Sequence, residues 1–447
     1  MSAFEKKNEL KSPAASFDKT AWRWVPTLYF MEGMPGIMIM VVLAIMFKNF
    51  GIPNEKITLY TGSLVMPWVL KPIWAGFIDI IKSKRWWIYT MEICVAAGFV
   101  AIAISMKAEN FFIITIAISW VVAFMASNHD IAADGFYLME LNPAQQSFFV
   151  GIQGAAYNVG KVFATGFIVI MTGVIFEYCG SYHTAWFFGM LLVAIAAGGI
   201  GIYHKFVLPK EQTRNEGKNF KGAMIEFWYV YLEFFKLERI WLAILFLFFY
   251  RAGESIINIV LPLFLLSPIA EGGLGLNNEF TGLSYGTLAP ISIILGSMLG
   301  GYAIYRKGFK FWIWWMLLLE NVPHLLYYVI AHFHIYNRIV IASFIFLEQL
   351  CFSFGLCAYS IFLFYMVRNS KFKTSHYAFF AGIMQLAVMI PVMLSGWLTK
   401  LFGYQDLFLF ILVMIIPAGI IIFFVKDKID CFGKRGSSSE VSVAAHK

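Results

Sequence analysis

The chain has 447 residues, 60% of them hydrophobic and only 13% charged, with a formal net charge of +8. So little polar surface excludes a soluble globular protein of this length, and long apolar runs in place of short alternating segments exclude a β-barrel. The basic excess does not indicate nucleic acid, because the positions of the bases explain it, and the five scattered cysteines imply neither a disulfide framework nor a zinc site.

Residues 1–21 are polar, carry Lys6, Lys7, Lys11 and Lys19, and lack the apolar core of a cleavable signal, so the first span is expected to direct insertion. About 20 apolar residues cross a bilayer. On that criterion spans are predicted at 22–47, 57–80, 86–106, 111–138, 146–173 and 183–206, then at 240–265, 280–303, 309–330, 336–366, 374–400 and 406–426. The outer loops hold Lys48, Lys56, Lys107, Arg338 and Lys400, and the span interiors hold Lys71, Lys161 and Arg251. The remainder of the 34 basic residues cluster in or beside the termini and the even-to-odd loops. That asymmetry predicts that both termini are cytoplasmic.

The predicted organisation is a tail at 1–21, a six-helix bundle at 22–206, a linker at 207–239 with an interfacial helix in its second part, a second bundle at 240–426, and a disordered tail at 427–447. Six spans, a basic loop and six more spans make an all-α membrane protein on the major facilitator plan. Two internal echoes support it. Tyr29 to Pro35, with Glu32, resembles Tyr250 to Ser255, with Glu254, in the equivalent span of the second half. Ala75 to Asp79, leading into Lys82, Ser83, Lys84 and Arg85, pairs with Gly300 to Tyr302, leading into Arg306 and Lys307. In the first copy Asp79, Lys82 and Arg85 are candidates for a cytoplasmic gate.

A charged side chain in hydrocarbon costs about 3 kcal/mol or more, so such groups normally face a cavity, a partner or a pathway. In the fourth span Asp130 and Asp134 are one helical turn apart on nearly one face, with Asn128 and His129 flanking. Glu32 lies near the middle of the first span, and Gly33, Pro35 and Gly36 loosen the helix after it. Glu32, Asp130, Asp134 and Glu254 are therefore candidates for proton coupling. Lys161, in the middle of the fifth span, needs an acid, Asp130 or Glu32, or an anionic substrate. Arg251 and Glu254, three apart, can pair with each other as a purely structural unit. Tyr157, Asn158, His129, Gln153, Glu320 and Gln349 complete the candidate substrate contacts with Lys161 and Arg251. Glu348 and His324 are weaker candidates, Lys71 can reach the cytoplasmic side, and Glu92 reads as a packing contact in the third span. No nucleophile elbow, phosphate loop or zinc spacing is present, so no enzyme activity, cofactor or metal is expected.

The run His129-Asp130-Ile131-Ala132-Ala133-Asp134-Gly135-Phe136 resembles the Q-D-I-x-x-D-[AG]-[FYW] segment of AmpG-like muropeptide permeases and the related acetyl-CoA transporters, with His129 in place of the leading Gln. Tyr157 to Lys161 is similar to their G-Y-R-L-G segment, although Asn158 stands where arginine is common. Tyr250 to Glu254 is similar to Y-K-L-G-D, and Leu295 to Gly301, Thr374 to Phe380, Ser395 to Trp397 and Phe402 to Tyr404 extend the match over most of the chain. The resemblance implies a proton-coupled permease of the bacterial inner membrane, and the two six-helix halves lead us to expect alternating access in a monomer. Members carry anhydromuropeptides, acetyl-CoA, siderophores or other organic solutes. The expected partners are thus a bulky anionic or amphiphilic small molecule, H+ and the lipid bilayer, without nucleic acid. The rival classes, a membrane enzyme using the His129–Asp130 pair or a sensor on a transporter scaffold, predict catalytic residues gathered at one interface or a folded output domain.

Overall fold

The computed structural model describes residues 19–141, 143–210, 220–367, 370 and 372–425. The cores of its helices are almost wholly apolar, which in a membrane leaves each backbone N–H and C=O to be satisfied within its own helix. The first half comprises α1 (Thr20–Asn49), α2 in two segments (Asn54–Ser63 and Met66–Ile81), α3 (Lys84–Ser105), α4 (Phe111–Glu140), α5 (Pro143–Val162 continued by Phe163–Ile168 and Val169–Cys179) and α6 (Tyr182–Val207). The second half comprises α7 (Ile240–Leu266), α8 (Asn278–Lys307), α9 (Phe309–His332), α10 (Arg338–Val367), α11 (373–402) and α12 (404–425). Among the described residues, ten helices are long and apolar enough to cross a membrane by length and composition alone. The longest of these turns sharply at Gly403, whose φ of 71° suits a residue without a Cβ, and so supplies both α11 and α12. With the broken α2, and apart from the linker helix, the long helices among the described residues number twelve.

Several helices run longer than their apolar cores, because polar ends continue past the hydrocarbon. Thus α5 begins at Pro143 and ends at Cys179, where Gly180 closes it in the left-handed conformation. The linker helix, Phe220–Phe235, lays Phe234 against Phe379 and Phe380 at the start of α11, and His376 Nε2 lies 3.2 Å from the Val230 carbonyl there.

Wide π turns interrupt α1 at Met38–Val42, α5 at Phe163–Ile168 and α8 at Ser284–Leu288. The π turns of α5 and α8 lie against each other across the two halves. A Cβ on Gly286 would fall 2.0 Å from the Thr165 carbonyl oxygen, so only glycine permits this approach. The cores reveal the same asymmetry. One large core joins both halves at the end away from the termini, whereas two separate cores, one per half, fill the end where the termini lie. The halves are therefore clamped at the far end and packed independently at the near end.

Polar contacts reinforce the clamp. Lys48 pairs with Glu271 at 3.1 Å and Lys400 with Glu55 at 2.8 Å, each joining one half to the other. Asn54 Nδ2 donates to the Tyr404 hydroxyl at 2.7 Å, and Asn49 and Asn278 exchange side-chain hydrogen bonds of 3.0 and 2.7 Å. Here the Lys400 ammonium beside Glu55 holds its carboxyl below the usual carboxylate range.

Candidate functional site

The candidate site is built on the seam between α1 and α5. A Cβ on Gly33 would lie 2.1 Å from the Tyr157 carbonyl oxygen, and one on Gly160 would lie 2.3 Å from that of Phe30. These two glycines let the backbones touch, which brings Glu32 within electrostatic reach of Tyr157.

Around Glu32 the structure gathers the acids that the sequence singled out. Glu32 is within electrostatic reach of Asp134, Asp130, His129 and Lys71, so three helices contribute to one charged cluster. The Tyr29 hydroxyl donates to Asp134 Oδ1 at 3.5 Å, and Trp68 Nε1–H donates to Asp130 Oδ2. Asp130 is 6% exposed, while Glu32 and Asp134 are half-buried. His129 is buried: its Nε2 lies 3.1 Å from Glu92 Oε1 and its Nδ1 lies 3.9 Å from Asp130 Oδ1. It stands behind the cluster, on the side toward α3.

Lys161 departs from expectation. Neither Asp130 nor Glu32 pairs with it, and among the described residues it forms no ion pair. Its ammonium lies 5.7 Å from the Tyr157 ring centroid and within electrostatic range of Arg251 from the opposite half. Arg251 likewise does not pair with Glu254, although the two are three residues apart. Its guanidinium lies 6.0 Å from the rings of Phe352 and Tyr359, and its Nε has no hydrogen-bond partner among the described residues. Two cations from opposite halves thus approach each other with aromatic rings beside them. Asn158 donates to the Gly154 carbonyl one turn back, and Gln153 is half-buried on the same helix.

Glu254 is instead absorbed by its own half. It accepts from Asn258 at 2.8 Å and Gln349 at 3.2 Å, and its Oε2 lies 3.1 Å from His324 Nε2. The same His324 nitrogen is 3.3 Å from Glu348 Oε1, while Tyr327 and Gln349 donate to Glu348 Oε2 at 2.6 and 2.9 Å. Glu254, His324 and Glu348 place ligand-type atoms within 4.8 Å of one another, an arrangement that a shared proton or a cation can occupy. Gln349 is buried in this network and serves its two acids. Glu320 is fully buried, within electrostatic reach of Arg251, and neither carboxylate oxygen has a hydrogen-bond partner among the described residues.

Of the gate candidates, Arg85 donates to the Lys205 carbonyl within its own half and Lys82 is exposed; the Asp79 side chain lies outside the described residues. Glu92, read as a packing contact, is instead the centre of a polar network that sequence reasoning missed. His204 Nδ1 lies 2.7 and 2.9 Å from its two oxygens, opposite His129. His204 sits near the end of α6, where a lone histidine reads as an interfacial cation, and no spacing links it to Glu92 on α3.

No family model matches the chain. It is 24% identical over 404 residues to the putative transporter AmpG 1 of Rickettsia bellii, covering 85% of this chain and 93% of that protein. It is 22% identical to putative transporter AmpG 4 of Rickettsia conorii, covering 90% and 95%, and 19% identical to the anhydromuropeptide permease of Escherichia coli K12, covering 81% and 71%. Among solved structures, an inward-facing bacterial homologue of the lysosomal transporter Spinster superposes with a TM-score of 0.71 at 12% identity, over 92% of this chain and 97% of that one. The D-xylose–proton symporter superposes with a TM-score of 0.61 at 10% identity, over 90% and 96%. The fold is that of a major facilitator transporter, and the chain is a multi-pass membrane transporter that resembles the AmpG-like permeases along most of its length.

Proposed function

We propose that the protein is a proton-coupled symporter of the bacterial inner membrane that takes up a bulky anionic solute, with an anhydromuropeptide as the first candidate. The observation that carries this reading is the approach of Lys161 and Arg251 from opposite halves, neither held in an ion pair among the described residues. Two such cations at mid-depth are costly unless an anion visits them. Tyr157, Phe352 and Tyr359 supply apolar faces beside them, as an amphiphilic solute needs. The name of the E. coli relative supports the choice of solute, and the symporter among the structural neighbours supports the coupling ion.

In this reading Asp130, Asp134 and Glu32 exchange the proton. Protonation of Asp130 weakens its attraction for the Trp68 indole N–H on α2, a helix that packs on α11 of the second half, and so biases the two access states. Both termini lie in the cytoplasm by the distribution of basic residues, the clamped far end faces outward, and one chain suffices. The test is uptake of a radiolabelled anhydromuropeptide into proteoliposomes under an imposed pH gradient. Uptake should follow the gradient in the wild type and lose that dependence in Asp130→Asn. Uptake indifferent to the gradient in the wild type overturns proton coupling, and failure of the anhydromuropeptide to enter or to stabilise the protein overturns the choice of solute.

A further inference from the structure

We infer that Glu92, His129 and His204 form a buried proton relay that couples the protonation of Asp130 to the end of the first half where the termini lie. The inference rests on the proton-coupling reading above and adds residues to it that touch neither solute nor the inter-half face.

A continuous chain of polar contacts carries the argument. The Thr27 hydroxyl lies 3.2 Å from the Trp24 carbonyl and 2.8 Å from His204 Nε2; in the relay its proton stays on the carbonyl and its oxygen accepts from Nε2–H. His204 Nδ1 faces both oxygens of Glu92, Glu92 Oε1 faces His129 Nε2, and His129 Nδ1 faces Asp130. The chain thus crosses α1, α6, α3 and α4. Glu92 and His204 are 0% exposed, and His129 is 2% exposed.

The hydrogen-bond roles show why this is more than a structural knot. With Nε2–H committed to Thr27, the His204–Glu92 contact has two proton placements of the same geometry. Either an imidazolium donates Nδ1–H to a carboxylate, or a neutral ring accepts at Nδ1 from a protonated acid. A proton can therefore change owner with no side chain moving. At the other end, His129 Nδ1 is buried with no hydrogen-bond partner, 3.9 Å from the Asp130 oxygen. A small rotation closes that gap to transfer distance.

The proposed step is balanced within the cluster. As Asp130 takes the proton of His129 Nδ1–H, one N–H bond breaks, one O–H bond forms, and the neutral His129 keeps Nε2–H on Glu92. His129 is recharged after its ring turns over: the bare Nδ1 then faces the protonated acid of the Glu92–His204 pair, one O–H bond breaks as one N–H bond forms, and Nε2–H faces Asp130 for the next transfer. The other groups facing Asp130 are Trp68 on α2, Glu32 on α1, Tyr157 on α5 and Asp134 on α4 itself, while Lys71 on α2 faces Glu32 and Asp134. They offer no second route to His204, since Glu92 faces only the two imidazoles among the described residues.

The experiment follows 15N-labelled histidine in the full chain in detergent micelles through a pH titration, with the His204 signal identified by its loss in His204→Gln. Asp130→Asn should move the His204 midpoint by about half a pH unit or more, although the two residues do not touch, and Glu92→Gln should abolish that response. An identical His204 midpoint in wild type and Asp130→Asn overturns the relay. In proteoliposomes with an anhydromuropeptide, Glu92→Gln and His204→Gln should lower gradient-driven uptake about tenfold while leaving solute exchange without a gradient within about twofold. Wild-type rates in both assays overturn the inference, as does equal loss in both from protein that still folds; Glu92→Asp, which keeps the acid, should recover part of the driven uptake. Should wild-type uptake ignore the gradient, the coupling reading itself fails, whereas the titration still reports whether His204 senses Asp130.

Discussion

Lys161 is the residue on which the assignment of the solute turns. A lysine and an arginine near each other in a membrane repel, and Glu320, within electrostatic reach of Arg251, offsets only one of the two charges. Replacing Lys161 with Met keeps much of the length of the side chain and removes the charge. The expected outcome is a loss of roughly 1.5–3 kcal/mol in solute affinity, or about 10- to 100-fold, read as a reduced thermal shift with an anhydromuropeptide. Lys161→Arg should retain most of the affinity. If Lys161→Met binds as the wild type does, the cation serves another purpose. The charge itself was legible in the sequence, because a lysine at mid-span announces its own cost. Its surroundings were not, since the expected acids Glu32 and Asp130 point into a different cluster and the neighbour is Arg251, 90 positions away. The same limit hid His204: its partner lies 112 residues away on α3, and only packing brings them together.

At the scale of the helices, glycines in two kinds of place should behave differently. Gly33 and Gly160 hold α1 against α5 inside one half, and a Cβ at either would overlap a backbone carbonyl that cannot move alone. Gly33→Ala or Gly160→Ala is expected to lower stability by about 1–3 kcal/mol, seen as a lower thermal midpoint with or without solute. Gly286, by contrast, permits contact between halves. Its Cβ would meet the backbone of Thr165 and Gly166 at 2.0–2.6 Å, so Gly286→Ala should wedge the far end apart while each half keeps its own packing. The expected signature is a longer distance between spin labels placed across the far end, with a thermal midpoint near that of the wild type. Equal loss of stability for Gly286→Ala and Gly33→Ala would remove the distinction. The helices themselves were read well from the apolar runs. The exceptions are the break in α2 after Ser63 and the direct turn from α11 to α12, both of which rest on local backbone geometry within continuously apolar sequence.

For the whole molecule, the contrast between one shared core at the far end and two separate cores at the near end implies that access is set by how firmly the far end is clamped. Each half also carries an imidazole between carboxylates, His129 with Glu92 and Asp130 in the first and His324 with Glu254 and Glu348 in the second, so these acids find their partners within their own half and not across the seam. The ion pairs across the far end are the exception. Glu55–Lys400 and Lys48–Glu271 are partly exposed, with Lys400 at 68% and Glu271 at 58%, so each contributes about 0–1 kcal/mol and is screened by salt. That is small against folding but comparable to the difference between two access states. The sign of the pH effect follows from Glu55. Its carboxyl is held below the usual range by Lys400 in the clamped state, so the contribution is fully present above that range, around pH 4, and is lost as pH falls through the lowered value. Acidification on the far side below about pH 4, or high salt at neutral pH, should therefore shift the population toward opening at that end. The double substitution Glu55→Gln with Glu271→Gln should do the same at neutral pH and make the distribution insensitive to salt. Spin labels at Lys56→Cys and Phe402→Cys, in a chain whose native cysteines are replaced by serine, read the separation directly. An unchanged distance distribution in the double variant means that the apolar seam alone keeps the far end shut, and the two ion pairs are then passive features of its rim.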